Sequence, residues 1–588
     1  MLEGCVPFPG EVAERYRQAG YWRGERLGDL LRRWAEAGGD RVAVSSPRGM
    51  GGVPPTTAAG AAKGSGKMTY AELDAAADRV AAGLRRLGLA KGDRVVFQLP
   101  NVVEFPAVVF GLLRLGALPI FALPPHREHE INYLASHAEA VAYIASDTFG
   151  GFHYGELGAA ARKEAPTLGH VLLLDGPDDE CSGASPASPK PHTGVVNLRR
   201  LLDEPIDPAE ARAAADADPP DASDVAFFLL SGGTTGLPKL IPRTHEDYAY
   251  NVAASADVCG LDPSTVYMVA LPAAHNFPLG CPGIMGTLAA GGRVVMAPSP
   301  KPQDAMAVVE AEQVTITALV PALAIRWLEG LTSGTPRTPG AGTRFDLSSL
   351  EVLQVGGARL APEVARRIGP AIGCKVQQVF GMAEGLLNYT RLDDPDHVVV
   401  GTQGRPLSPA DEILIVGPDD QPVPDGEAGE LLTRGPYTIR GYYRADAHNA
   451  KAFTADGFYR TGDIVRRDEG GNLMVEGRAK DLINRGGEKI SAEEIENLLI
   501  AHPAVREVAA VAMPHPVLGE QTCAYLVLRP DETLDLAALC AYLEERRVAR
   551  FKWPERLEIL DALPVTNVGK VDKKKLRDDI AAKLKGGS

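Results

Sequence analysis

The chain has 588 residues, of which 45% are hydrophobic and 23% are charged. At roughly 100–200 residues per domain this length predicts at least two domains, and the composition excludes wholesale disorder. The net charge of −15 at pH 7 argues against a broad surface for nucleic acid or anionic membrane.

The seven cysteines lie far apart, and no CxxC or Cys/His ligand spacing is present. This usage predicts neither a disulfide framework nor a zinc site, and it is typical of a reducing cytosol. The first residues lack the pattern of a secretory signal, and the apolar segment 107–125 is interrupted by Arg114 and two prolines. We therefore expect a cytoplasmic protein that binds neither nucleic acid nor membrane.

Helix and strand patterns alternate in the first part of the chain. Thr69 and Glu72 have the spacing of a capping box, and a helical apolar period follows them. The next patterns predict a strand over 93–99, a helix over 103–115 and a strand over 118–122. This βαβ order predicts an α/β protein with a largely parallel sheet and helices outside it.

Three segments interrupt that order, at 47–67, 177–193 and 332–343. They are rich in small residues and proline, and such compositions cannot bury enough apolar surface to fold alone. We expect mobile surface loops at all three, the first of them an insert.

The sequence changes in character near Gly477. Beyond it the patterns predict a small α+β unit of three helices and three strands. The helices are expected over 492–501, 536–545 and 573–585, and the strands over 508–513, 523–528 and 556–560. Ser491 and Glu494 have the spacing of a second capping box. We therefore divide the chain into a large domain, 1–479, and a small domain, 480–588.

A glycine- and threonine-rich motif follows the short apolar strand Phe227–Leu230. Its glycines leave backbone N–H groups open to approach, its hydroxyl groups add donors, and its lysine adds a positive charge. The pattern favours a phosphate site over a merely flexible loop, and it is not a Walker motif. The candidate residues are Ser231, Gly232, Gly233, Thr234, Thr235 and Lys239.

This motif resembles the phosphate loop of the adenylate-forming superfamily, which includes acyl-CoA synthetases, peptide-synthetase adenylation domains and luciferases. Segments 380–384, 459–463, 477–489 and 564–570 resemble the other motifs of that superfamily and follow in the same order. The resemblance covers nearly the whole chain. It implies an α/β fold with a large multi-sheet N-terminal adenylation domain and a small mobile C-terminal domain.

The resemblance also implies the roles of single residues in binding ATP and Mg²⁺. Phe380 would stack on adenine, and Gln378 would hydrogen-bond to the edge of the base. Asp463 would accept hydrogen bonds from the ribose with the help of Arg478, and Glu384 would hold Mg²⁺. The other nucleotide-binding candidates are Gly356, Gly357, Ala358, Gly381, Met382 and Ala383.

The implied chemistry needs a mobile cation. A carboxylate must attack the α-phosphorus of ATP, and both partners are anionic. Lys570 is the candidate for this cation, although without the motif it would be read as one more lysine of a basic tail. In such proteins the small domain then rotates about a hinge, here Lys480, and a thiol attacks the adenylate.

A closer resemblance is to the aryl acid–AMP ligases of siderophore synthesis. It rests on residues 8–22, 271–278, 353–358 and 377–389. Relatives that activate amino acids usually have an aspartate near position 276, where this chain has Asn276. A neutral amide cannot pair with an ammonium group, but it can bind an ortho phenolic hydroxyl.

Two positions favour salicylate over 2,3-dihydroxybenzoate. Dihydroxybenzoate members of the family have serine where this chain has Cys281, and usually valine where it has Leu387. A thiol is a weak partner for a 3-hydroxyl, and an unpaired buried hydroxyl costs about 1–3 kcal/mol. An inert buried thiol is the alternative interpretation of Cys281.

The remaining pocket candidates lie beside Asn276 and Cys281 in the sequence or in the other motifs. Gly280 could leave room for a ring substituent, as in a methylsalicylate. His275 could position the carboxylate of the acid, line the pocket or be an ordinary core histidine. Residues expected to line the ring pocket are Phe277, Ala358 and Val379, with Lys570 at the carboxylate.

The acceptor of the acyl group is the least defined partner. No segment resembles a carrier domain with a phosphopantetheine serine. We expect a separate aryl carrier protein, with free CoA as the alternative.

Two other functions remain as alternatives to adenylation. A non-catalytic nucleotide-binding protein is disfavoured because Lys239, Glu384, Asp463 and Lys570 are all present. A kinase-like transferase, releasing ADP instead of pyrophosphate, is a further alternative.

Overall fold

The structure is a computed structural model in which part of the chain is described. The described residues are 1–47, 66–176, 194–231, 238–332, 345–478, 481–485, 488–515, 518–546, 548, 550–566 and 569–586. The three predicted loops, at 47–67, 177–193 and 332–343, lie almost wholly outside these ranges. Lys480 and the glycine and threonine residues of the phosphate motif also lie outside them.

Helices and strands alternate from the start of the chain to residue 215. The helices are α1 (Gly10–Gln18), α2 (Arg32–Gly38), α3 (Tyr70–Arg86), α4 (Phe105–Leu115), α5 (Glu128–His137), α6 (Tyr154–Glu164), α7 (Leu198–Leu202) and α8 (Pro208–Ala215). The strands are β1 (Val42–Ser45), β2 (Lys67–Thr69), β3 (Arg94–Gln98), β4 (Leu118–Phe121), β5 (Ala142–Ser146), β6 (Thr148–Phe149), β7 (Phe152–His153), β8 (His170–Leu174) and β9 (Gly194–Asn197).

The local signals of this region are confirmed. Thr69 Oγ1 accepts from the Glu72 N–H at 3.2 Å, and Glu72 Oε2 accepts from the Thr69 N–H at 2.8 Å, which completes the capping box of α3. Helix α4 ends at Gly116, whose φ of +78° is a left-handed conformation that glycine adopts at little cost.

The middle of the chain continues the alternation. Its helices are α9 (His245–Val258), α10 (Asn276–Gly280), α11 (Gly283–Ala290), α12 (Pro302–Glu312), α13 (Pro321–Thr332), α14 (Pro362–Ile372) and α15 (Asp396–Gly401). Its strands are β10 (Val225–Leu230), β11 (Leu240–Thr244), β12 (Val266–Val269), β13 (Arg293–Met296), β14 (Ile316–Leu319), β15 (Val352–Gly356), β16 (Lys375–Met382), β17 (Gly385–Tyr389) and β18 (Arg405–Pro406).

Two large sheets result, and both are mainly parallel. The first has the order β11-β10-β4-β3-β5-β8-β9, with β11 alone antiparallel to its neighbour. The second has the order β18-β17-β16-β15-β14-β12-β13-β1-β2, antiparallel only at its edges. One hydrophobic cluster joins the two sheets through α3 and α4. The predicted parallel α/β architecture is confirmed.

The last part of the chain is antiparallel and then α+β. An antiparallel sheet contains β19 (Glu412–Val416), β20 (Gly429–Arg434), β21 (Tyr459–Arg467) and β22 (Leu473–Arg478), with α16 (Asp446–Ala452) before β21. The C-terminal unit contains β23 (Leu482–Arg485), β24 (Glu488–Ser491), α17 (Ala492–Ile500), β25 (Val505–His515), β26 (Gly519–Leu528), α18 (Leu536–Glu545), β27 (Arg556–Ile559) and α19 (Lys573–Gly586).

The C-terminal unit has its own five-stranded sheet and its own hydrophobic clusters. All three predicted helices and all three predicted strands are confirmed there, and the hairpin of β23 and β24 is an addition that no sequence pattern indicated. Ser491 caps α17, since its Oγ accepts from the Glu494 N–H at 3.2 Å. The predicted capping box is only half formed, because the Glu494 carboxylate pairs with Lys552 Nζ at 2.6 Å.

Within the described ranges, no helix combines the length and apolar character that a membrane span requires. The six cysteines of those ranges are free thiols.

Candidate active site

The base of the phosphate motif is closed by two hydrogen bonds. Strands β10 and β11 are antiparallel neighbours, so the segment between them leaves and returns at one end of the sheet. The Ser231 N–H donates to Lys239 O, and the Lys239 N–H donates to Ser231 Oγ, both at 2.9 Å. Gly232, Gly233, Thr234 and Thr235 lie outside the described residues, so their phosphate role stays a prediction.

Glu384 and Lys239 both lie beside Tyr442. Tyr442 donates its hydroxyl to Glu384 Oε1 at 2.7 Å, and the Tyr459 hydroxyl lies 2.9 Å from that of Tyr442. Lys239 Nζ lies 5.8 Å from the centre of the Tyr442 ring. Burial and the neighbouring carboxylate raise the pKa of Tyr442, which keeps its hydroxyl a donor. Nothing in the sequence links Tyr442 with Glu384, 58 residues away.

Glu384 fits a divalent cation. Its side chain is buried with 8% exposed, and no described residue hydrogen-bonds to Oε2. A carboxylate oxygen near the lysine of a phosphate loop is a ligand that hard cations such as Mg²⁺ prefer.

Asp463 and Arg478 face each other across β21 and β22. They are register partners, and Arg478 Nε lies 2.6 Å from Asp463 Oδ1. Asp463 Oδ2 is buried and accepts no hydrogen bond from any residue of the described ranges. Burial raises the pKa of Asp463, while the charges of Arg478 and Lys570 lower it. An unpaired buried carboxylate oxygen is costly, so a ligand with hydroxyl donors, such as a ribose, fits this position.

The predicted adenine site is only partly supported by the geometry. Phe380, Gly381, Met382 and Ala383 are half-buried along the end of β16, where a flat ligand has access to them. The side-chain amide of Gln378, in contrast, is hydrogen-bonded to other residues of the protein. Its Nε2 donates to Val399 O at 2.6 Å and its Oε1 accepts from Gln403 at 3.2 Å. The predicted side-chain contact of Gln378 with adenine does not fit this geometry.

Lys570 reaches the N-terminal domain. The Thr566 N–H donates to Lys570 O at 2.6 Å and holds the turn that carries the lysine. A β-carbon placed on Gly357, whose φ is +83°, would lie 3.5 Å from Lys570 Cε. The charge of Lys570 also acts on His275 and Asp463. The structure therefore brings together four predicted site residues from distant parts of the chain.

The predicted ring pocket starts at α10. His275 caps this helix, since its Nδ1 accepts from the Phe277 N–H at 3.2 Å. Burial and the charge of Lys570 lower the pKa of His275 to about 4, so the ring is neutral near pH 7. The Phe277 ring lies against Gly356, where a β-carbon would be 3.0 Å from Phe277 Cε1. Val379 and Leu387 are buried on β16 and β17, whereas Ala358 is exposed beyond β15.

Asn276 and Cys281 are in contact within this pocket. Asn276 Nδ2 donates to Cys281 Sγ at 3.4 Å, and the Cys281 thiol donates to Asn276 O at 3.5 Å. Burial raises the pKa of Cys281 to about 12, so it is a neutral thiol. Asn276 Oδ1 accepts from the Tyr248 hydroxyl at 2.8 Å. Tyr248 is a further pocket residue that no sequence motif indicated.

The interpretation of Gly280 needs correction. A β-carbon at this position would lie 2.2 Å from the Tyr248 hydroxyl oxygen and 2.5 Å from Tyr248 Cζ. The space beside Gly280 is therefore filled by Tyr248 and does not accommodate a ring substituent of the acid.

Two family models match the chain. The AMP-binding enzyme model matches residues 31–443, and the model of the AMP-binding enzyme C-terminal domain matches residues 494–570. The chain belongs to the AMP-binding enzyme family. The resemblance on which the sequence prediction rested is confirmed.

Relatives of this AMP-binding enzyme include ligases of aryl acids. A salicylyl-CoA synthase / salicylate adenylyltransferase of a Streptomyces species is 52% identical, over 99% of this chain and 98% of that protein. A 2,3-dihydroxybenzoate-AMP ligase of Bacillus subtilis is 50% identical, over 100% of this chain and 99% of that protein. The apo structure of Mycobacterium smegmatis MbtA is 44% identical with a TM-score of 0.69, and the match covers 98% of both chains.

The packing of Tyr248 on Gly280 predicts the effect of a small substitution. Gly280→Ala should lower the free energy of unfolding by about 1–3 kcal/mol, because the added methyl group overlaps the tyrosine. Gly401→Ala is the matched control, since a β-carbon there meets no atom within 4 Å. Thermal unfolding of both variants measures the difference. Equal midpoints would show that the space beside Gly280 is open after all.

Proposed function

We propose that this AMP-binding enzyme activates salicylate, or a substituted salicylate, as an aryl-AMP and then transfers the aryl group to a thiol. The observation that carries the proposal is the neutral pocket of Asn276 and Cys281, close to a site with Lys570 and Asp463. Among the described residues of that pocket, Tyr248, Asn276 and Cys281 are neutral and offer no negative charge to the ammonium of an amino acid.

The first half-reaction joins two anions. A carboxylate oxygen forms a bond to the α-phosphorus of ATP, and the bond from that phosphorus to the bridging oxygen of pyrophosphate breaks. Lys570 is placed to neutralise the negative charge that accumulates between the two partners. His275 is neutral near pH 7, so it contributes orientation and not a second positive charge.

The nucleotide would be held by two groups on neighbouring strands, Asp463 of β21 and Arg478 of β22, and by Lys239 and Glu384, which lie just outside strands. Asp463 Oδ2 accepts from a ribose hydroxyl, and Arg478 holds the other carboxylate oxygen in place. Lys239 lies at the phosphate motif as a point charge. Glu384 would hold Mg²⁺, which neutralises phosphate oxygens when it is bound.

The proposed acid depends on Cys281 and Leu387. The sulfur of Cys281 already accepts from Asn276 and its proton goes to a backbone oxygen, so a 3-hydroxyl would find only a weak partner there. This favours salicylate over 2,3-dihydroxybenzoate, which is the alternative acid.

The proposed acceptor is the phosphopantetheine thiol of a separate aryl carrier protein. The sulfur attacks the carbonyl carbon of the aryl-AMP, and AMP leaves as the thioester forms. The alternative acceptor is free CoA, which the name of the Streptomyces relative supports.

Acid-dependent exchange of pyrophosphate into ATP tests the proposal. The assay compares salicylate, 6-methylsalicylate, 2,3-dihydroxybenzoate, benzoate and several amino acids. We expect salicylate to give the highest kcat/KM and the amino acids to give none above background. An amino-acid preference, or the release of ADP without pyrophosphate exchange, would overturn the proposed function.

Cys281→Ser tests whether residue 281 contacts the substituent at the 3-position of the aryl ring. A serine hydroxyl can pair with a 3-hydroxyl, so the kcat/KM ratio of 2,3-dihydroxybenzoate to salicylate should rise about tenfold or more. Cys374→Ser is the control, because Cys374 is also buried but lies in a different hydrophobic cluster. It should leave the ratio of the two acids' kcat/KM values unchanged. An unchanged ratio in Cys281→Ser would mean that this residue does not contact the 3-position.

A further inference from the structure

The amide of Asn276 is held in one orientation by its neighbours. The Tyr248 hydroxyl carries a single proton and lies 2.8 Å from Asn276 Oδ1. Burial raises the pKa of Tyr248 far above its usual range, so the hydroxyl is protonated and donates. The amide oxygen therefore faces the tyrosine, and the amide nitrogen faces the opposite way.

Cys281 reinforces this assignment of donors and acceptors. Its thiol proton is directed to Asn276 O at 3.5 Å, which leaves the sulfur to accept from Asn276 Nδ2 at 3.4 Å. An amide nitrogen carries two hydrogens, and no described residue accepts the second one. The residue thus offers a hydrogen-bond donor to a ligand, while its amide oxygen faces Tyr248.

Tyr248 itself has little freedom to move. Its ring meets the edge of Phe227 at a centroid distance of 4.7 Å, and the guanidinium carbon of Arg243 lies 4.6 Å from the ring centre. Arg243 is fully buried and paired with Asp247 at 2.8 Å. Gly280 closes the remaining side, because any side chain there would overlap the tyrosine.

The ortho substituent of the acid decides whether it needs a donor or an acceptor. In salicylate the phenolic proton bonds to the neighbouring carboxylate, so the outward side of the phenolic oxygen is an acceptor. In the ortho-amino acid anthranilate, one N–H bonds to the carboxylate and the other points outward as a donor. A donor from Asn276 satisfies the first acid and leaves both groups unpaired with the second.

We propose that Tyr248 is a positioning residue that fixes the Asn276 amide, so that the pocket selects an ortho hydroxyl over an ortho amino group. This inference rests on the proposed function, since it assigns the ortho group of the aryl acid to Asn276. Tyr248 would act through Asn276, to which its hydroxyl is hydrogen-bonded.

Tyr248→Phe tests the proposal while keeping the ring. Without the hydroxyl the amide is free to turn and offer its oxygen to an amino group. Pyrophosphate exchange should show that the kcat/KM ratio of salicylate to anthranilate falls about tenfold or more relative to the unmodified enzyme. The KM for ATP, which measures the nucleotide site, should be unchanged.

Tyr143→Phe is the matched control. Tyr143 is also fully buried and donates to a side-chain amide, that of Gln98 at 2.7 Å, but it lies in a different part of the core. Removing the Tyr143 hydroxyl should leave the kcat/KM ratio of salicylate to anthranilate unchanged. Asn276→Asp is a second variant, in which a carboxylate offers only acceptors and the ratio should shift towards anthranilate.

The outcomes separate the inference from the proposed function. Suppose that the unmodified enzyme prefers salicylate to anthranilate and that Tyr248→Phe lowers kcat/KM for both acids by the same factor. Tyr248 then contributes only packing, and the inference is wrong. An unchanged ratio in Asn276→Asp would also overturn it. No exchange by the unmodified enzyme with any aryl acid would overturn the proposed function and, with it, the inference.

Discussion

The repulsion between a carboxylate and a triphosphate is the constraint on which this site depends. Both partners of the proposed reaction are anions, and no single helix or strand can surround them with positive charge. The cations accordingly come from three elements that are distant in sequence. Lys239 lies at the base of the phosphate motif, Arg478 ends β22, and Lys570 is carried by the C-terminal unit to within contact distance of Gly357. Asp463, the carboxylate partner of Arg478, is buried, where an ion pair is stronger because the local dielectric is lower than that of water.

The pocket for the acid has the opposite character. Tyr248, Asn276 and Cys281 are buried and neutral, and they satisfy one another through hydrogen bonds. A pocket of this kind recognises a ligand by which groups donate and which accept, since leaving one buried group unpaired costs about 1–3 kcal/mol. In the proposed function the two tasks are therefore divided within one site. The charged groups would stabilise the reacting anions, and the neutral groups would select the acid.

Much of the fold and of the nucleotide site could be predicted from the sequence. Helix α18 has the predicted bounds, and Lys570, Gly357, His275 and Asp463 come together as the motif order implied. Contacts without a spacing signal could not be predicted. Tyr442 and Tyr248 act on residues 58 and 28 positions away, and only the tertiary fold brings them there. The prediction of open space at Gly280 is wrong because a glycine indicates that a side chain is missing, but not which neighbour fills the space.

In the proposed reaction the C-terminal unit supplies the cation for adenylate formation. Lys570→Ala tests it directly, by salicylate-dependent exchange of pyrophosphate into ATP, with thermal unfolding as a check of the fold. We expect the exchange rate to fall about 10²–10³-fold, the usual effect of removing one group that stabilises a transition-state charge. Lys574→Ala, at an exposed lysine of α19, should exchange like the unmodified enzyme. Near-normal exchange by a folded Lys570→Ala would show that Lys570 is not this cation.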